Sequence, residues 1–170
     1  MSDFQTARQG TVDAIRQAAN EAYEKNAKET IFGFGICTDD DVGSVYHVYA
    51  TRPWVSEREP DYPEIGLISV EWSQASDDTL FLAVSKMFQE WAANDHATPN
   101  SSFDEDRTVR FRALVEAMKI CRDEGLFDAR TLLSVSSTDP DDLMIRLACD
   151  AGCHLNIDEV AAAYCKMMGC

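Results

Sequence analysis

Apolar residues recur at helical spacing in five stretches of the chain and at strand spacing in four. The most regular stretch runs from Phe103 to Phe127, where Phe111, Leu114, Val115 and Met118 keep the i, i+3, i+4, i+7 spacing of a buried helical face and Cys121 extends it. Ala113, Ala117 and Ile120 add a second apolar strip, so this helix meets more than one neighbour. Ser102 followed by Glu105 is a capping-box pattern, and Asp104 and Asp106 lie where the helix dipole favours negative charge. Gly125 supplies a left-handed stop, with Leu126 folding back on the last turn. Arg112, Glu116, Lys119 and Asp123 form the wet face.

The other elements are less regular. Phe4 to Glu29 reads as a helix with a thin, alanine-rich face (Ala7, Val12, Ile15, Ala18, Ala19, Ala22) and is expected on the surface of a sheet, away from the centre. Thr30 to Thr38 and Ser44 to Thr51 read as an antiparallel hairpin around the turn Asp39-Asp40-Asp41-Val42-Gly43. Arg52 to Glu64, with Pro53, Pro60 and Pro63, is expected as an exposed irregular loop, and Ile65 to Trp72 as a third strand. Asp77 to Asn94 is a helix carrying Leu80, Phe81, Val84, Met87, Phe88 and Trp91 inward. Arg130 to Ser137 is a buried fourth strand; Thr138-Asp139-Pro140-Asp141-Asp142 starts a helix, with Pro140 at an early turn, and a last helix runs over about Ile157 to Met168 after a break at Leu155-Asn156. The pattern predicts one α+β domain over residues 1–170, a small antiparallel sheet covered by several helices.

Composition narrows the function classes. A chain of 170 residues with 45% hydrophobic content can bury a core without a disulfide or metal staple. A formal net charge of -15 repels phosphate backbones and anionic membranes, excludes direct nucleic-acid binding by electrostatics, and favours basic partners. No signal-peptide pattern opens the sequence and no apolar run reaches membrane-spanning length, so a cytoplasmic protein with six reduced cysteines is expected.

Candidate chemistry is sparse. Cys149, Cys153, Cys165 and Cys170 are a possible zinc ligand set, weakened because no pair has the tight two-residue spacing and Gly152 can end the helix before Cys153. His47 on its strand can meet Glu71 on a neighbouring one as an acid–base pair, though a hydrogen-bonded, half-buried imidazole is the commoner outcome. His96 lies in a polar connection. Cys37 precedes three aspartates, the wrong field for a nucleophile. Asp139-Pro140-Asp141-Asp142 lacks the glycine and glutamate of a calcium loop and reads as a helix start. No cofactor motif occurs. Asp39, Asp40, Asp41, Trp54, Glu57, Glu59, Asp61 and Tyr62 cluster in sequence around the hairpin, acids with aromatics, as a hot spot for a basic protein needs.

The run Glu29-Thr30-Ile31-Phe32-Gly33-Phe34 through Thr38-Asp39-Asp40-Asp41, with Glu71-Trp72, Gly125-Leu126-Phe127 and Leu155-Asn156, resembles the bacterial domain of unknown function 4303 family. The resemblance implies a cytosolic α+β domain, associates the chain with toxin–immunity neighbourhoods, and supplies no catalytic residues. The late cysteines match no pattern of that family. The expected function is a non-enzymatic acidic binding protein of the immunity type, neutralising a basic toxin by occlusion. The alternative is a small metal-binding or enzymatic domain using the late cysteines or His47 with Glu71.

Overall fold

The computed structural model describes residues 3–72, 79–95 and 102–170. Its elements are α1 (Asp3–Lys25), β1 (Ile31–Thr38), β2 (Val45–Thr51), α2 (Arg52–Arg58), a 3-10 turn (Ser69–Glu71), α3 (Thr79–Asp95), α4 (Phe103–Asp123), β3 (Leu132–Ser137), α5 (Asp142–Leu155) and α6 (Asp158–Met168). The α+β class stands. The sheet differs from expectation: it has three strands in the order β2-β1-β3, and it is mixed. β1 and β2 form the antiparallel hairpin, with Thr38 opposite Val45 and Ile31 opposite Thr51. β3 lies parallel to β1, Gly33 opposite Leu132 and Thr38 opposite Ser137.

Strand alternation divides this sheet into two unlike faces. Phe34, Ile36, Tyr49, Leu133 and Val135 form one face and enter a core with α1, α3 and α4. Phe111, Leu114, Met118 and Cys121 of α4 are buried there, as their spacing predicts, and the capping box at Ser102 and Glu105 is formed. α1 is a correction. Expected on the surface of a sheet and away from the centre, it touches the sheet but packs mainly against α3 and α4, and Ala18, Ala19 and Ala22 are buried in the core.

Gly33, Gly35, Cys37, Ala50, Leu132, Ser134 and Ser136 line the opposite face together with Tyr46 and Val48, and the glycines and serines at its centre leave room over β1. The segment expected to be a third strand lies here instead, as turns and the 3-10 turn. Its apolar, largely β-branched run of Ile65, Leu67, Ile68 and Val70 imitates a strand, yet it packs across the sheet. The Trp72 ring covers Gly33, Ser69 covers Gly35, and the Trp72 indole N–H donates to the Ile65 carbonyl at 2.9 Å. The Ser69 and Ser136 hydroxyls meet at 3.0 Å. The loop expected after Arg52 also begins with a helix: the Thr51 hydroxyl accepts from the Trp54 N–H at 3.4 Å, and Pro53 occupies the first turn, where its missing N–H costs nothing.

A methyl group at Gly33 would lie 2.2 Å from Trp72 Cη2, and the buried indole has no room to withdraw. Gly33→Ala is therefore expected to cost about 1–3 kcal/mol in urea unfolding. An unchanged midpoint would mean that the 65–72 segment is not seated on this face.

Candidate functional site

The acids singled out from the sequence fall into two places. Asp39, Asp40 and Asp41 lie at the turn between β1 and β2, whereas Trp54, Glu57, Glu59, Asp61 and Tyr62 follow the far end of β2. The seven residue steps from Ile31 to Thr38 along extended β1 separate the two ends, roughly 23 Å at 3.3 Å per residue. They are two surfaces.

The turn is committed to the fold. The Asp39 carboxylate accepts from the Gly43 and Ser44 N–H groups at 2.7 and 3.0 Å, and Val42 is buried in the left-handed region at φ 55. Two arginines of α4 reach under it. Arg110, 1% exposed, donates to the Asp41 carbonyl at 3.0 Å, and Arg107 donates to the Asp40 carbonyl at 3.5 Å. Arg107 also pairs with Asp104 and Asp141. Burial opposes its charge, but the bonds to Asp141 and Asp104 outweigh that and hold the guanidinium above its usual pKa. Neither arginine was picked out from the sequence. The signal was present, since Arg107, Arg110 or Phe111, Leu114 and Met118 continue one helical stripe.

The second surface is open. Glu57, Glu59, Asp61, Tyr62 and Glu64 are exposed around α2 and its following turn. Arg58 stacks over the Trp54 ring at 4.4 Å and pairs with Glu57 at 2.9 Å. Glu59, Asp61 and Glu64 have no ion pair among the described residues. Glu57, Arg58, Asp61, Tyr62 and Ile65 border a depression of about 290 Å³ with an apolar floor. Chemically this patch offers unneutralised carboxylates beside an amphipathic ring, suited to lysine or arginine side chains of a protein partner.

The start of α2 faces a different environment. Two adjoining cavities, about 490 and 310 Å³, share Phe32, Arg52 and Arg130 in their walls. The Arg52 guanidinium lies 4.2 Å over the Phe32 ring, and neither Arg52 nor Arg130 makes an ion pair among the described residues. Leu67, Leu132, Val160 and Ala163 supply apolar walls, and Asp128 and Glu159 also line the two cavities.

Residues 12–156 match the family model described as Domain of unknown function (DUF4303). The chain belongs to this family. No curated protein and no solved structure matches it. The hairpin, both arginine-bearing segments and the α2 patch all lie within the family segment; α6 lies beyond it.

The remaining candidates are separated by the fold. His47 is buried on the large-residue face, stacked between Phe34 and Phe81 at 5.7 and 5.0 Å. Glu71 is exposed on the 3-10 turn against the other face, so the two do not form an acid–base pair. His96 lies outside the described residues. Cys37 is wholly buried, and burial pushes its thiol up to about 11. The late cysteines do gather, because α5 continues past Gly152 to Leu155. The expectation of six reduced thiols is corrected: Cys149 and Cys170 are disulfide-bonded. Among the described residues no group of three or more histidine, cysteine or acidic side chains is arranged to hold a metal ion.

Asp141 joins two roles, capping α5 through the Met144 N–H at 2.9 Å and pairing with Arg107. The cap bond and then the guanidinium hold its carboxyl below the usual aspartate range. A lowered native pKa means that its stabilisation is complete above the ordinary aspartate range and is lost as pH falls through the native value. Asp141→Asn keeps a capping oxygen and removes the charge. It is expected to lower the thermal midpoint at neutral pH, with the gap from wild type closing in acid. A gap independent of pH would show that the carboxylate charge is not what matters.

Proposed function

We propose that the chain is a non-enzymatic binding protein that presents the acidic surface around α2 to a basic protein, in the manner of an immunity protein occluding a cationic toxin site. The observation that carries this reading is the contrast between the two acidic segments. The turn at Asp39–Asp41 spends its backbone carbonyls and one carboxylate inside the fold, whereas Glu57, Glu59, Asp61 and Glu64 stand exposed beside Trp54 and Tyr62. A net charge of -15 would steer a basic partner towards the protein and make association salt-sensitive. No helix among the described residues is long and apolar enough to cross a membrane.

Glu57→Lys, Glu59→Lys and Asp61→Lys combined are expected to weaken a partner retained at low salt by at least about tenfold, leaving the unfolding transition in place. Asp40→Lys with Asp41→Lys serves as the control, since the carbonyls and not the carboxylates of these residues hold the arginines. Equal weakening by both sets would reduce the effect to net charge and overturn the α2 assignment.

A second reading rests on Arg52 and Arg130. Two guanidinium groups without acidic partners, one stacked on an aromatic ring, are suited to a carboxylate or phosphate carried on an apolar body. Phenyl phosphate added to the labelled protein is expected to shift the amide resonances of Phe32, Leu132 and Val160, and Arg52→Gln with Arg130→Gln to abolish the shifts. Shifts that persist in that variant would exclude the cavity as an anion site.

A further inference from the structure

Cys153 and Cys165 face each other across the junction of α5 and α6 with their sulfurs 2.7 Å apart. The backbone imposes this approach. Gly152 lets the Tyr164 ring lie directly on α5, where a Cβ would stand 2.3 Å from Tyr164 Cδ1, and Tyr164 and Leu155 are both buried. The residues next in sequence, Cys153 and Cys165, are thereby brought into register. The Cys149–Cys170 disulfide ties the same two segments, with Cα atoms 6.2 Å apart. The Cys170 N–H closes on the Cys165 carbonyl beyond the left-handed Gly169.

We propose that Cys153 and Cys165 are an oxidation site, closing a second, reversible disulfide between α5 and α6 when the protein meets a peroxide. Cys153 is exposed and Cys165 is half-buried behind it, so a reagent reaches one sulfur while the other is held in place to resolve it. The Cys153 thiolate attacks one peroxide oxygen; the O–O bond breaks, a hydroxide leaves, and a sulfenic acid forms. The Cys165 sulfur then attacks the Cys153 sulfur. The S–S bond forms as the S–O bond breaks, and the hydroxyl leaves as water with the Cys165 proton. Two thiols and one hydrogen peroxide thus give one disulfide and two waters, the two electrons passing to the peroxide oxygens. A dithiol reductant reverses the linkage by thiol–disulfide exchange.

The other free thiols are poor competitors. Cys37 and Cys121 are wholly buried, and burial pushes them up to about 11 and about 12. The Cys165 thiol is itself pushed up to about 11, first by its bond to Cys153 and then by burial; its place in the pair rests on its position against Cys153.

The test is thiol counting on the full chain, unfolded in the presence of N-ethylmaleimide before and after hydrogen peroxide. Four free cysteines should give four adducts at first, and two after peroxide, with peptide mapping under non-reducing conditions placing the new link at Cys153–Cys165. A protein isolated with that link already present, opened by dithiothreitol and restored by peroxide, gives the same answer. The link should raise the thermal midpoint by about 5–10 °C, and Cys153→Ser and Cys165→Ser should each remove the rise. Three results would overturn the proposal: four adducts after peroxide, sulfinic acid on Cys153 with Cys165 still free, or stoichiometric zinc held by the four late cysteines with no disulfide.

Discussion

Arg107 is the interaction on which the arrangement of this protein depends. Its guanidinium, almost wholly buried, touches the carbonyl of the hairpin turn, a carboxylate of its own helix and the cap residue of α5. A buried cation is tolerable only when its donors are met, and three separate segments supply what this one needs. Arg110 repeats the arrangement one turn on, against the next carbonyl of the same hairpin turn. These contacts fix where β1 and β2 end relative to α4 and where α5 begins. They also determine what the surface can offer, because an acidic turn already engaged from beneath is a poor platform for a partner. Of the two acidic segments, the one after β2, around α2, is not held from beneath in this way and keeps Glu57, Glu59, Asp61 and Glu64 exposed.

The sheet imposes the second constraint. One face carries the large residues and accepts three helices. The other carries glycine, cysteine and serine at its centre, and so accepts the Trp72 ring directly against Gly33. That asymmetry explains how the mixed sheet, three-stranded among the described residues, is covered on both sides. The same small face receives Tyr164 from α6, which couples the packing of α6 to the cysteine junction on its outer side.

The helices were legible because their information is local. Stripe spacing, the Ser102–Glu105 box and Gly125 place α4 within a residue of where it lies. The hairpin was legible for the same reason. What failed was non-local. The Ile65–Trp72 segment has a strand-like apolar run, and only the glycines of β1, thirty and more residues away, decide that it crosses the sheet. Parallel pairing of β1 with β3 has no local mark at all. Pro53 was weighed as a breaker when, two residues after Thr51, it stands in the first turn of a helix. The candidate site shows the same division. The acidic and aromatic residues were visible, but their separation to opposite ends of a strand, the capture of the turn by Arg107 and Arg110, and the pairing of Cys149 with Cys170 all depend on contacts between distant segments.

The most direct test of the central claim, that the acidic surface around α2 is the one a basic partner uses, is hydrogen–deuterium exchange of the chain with and without the basic protein it retains at low salt. The account predicts new protection across residues 52–64 and none at 39–44, where the turn is already held from within. Protection confined to the turn, or no partner retained at low salt, would contradict it.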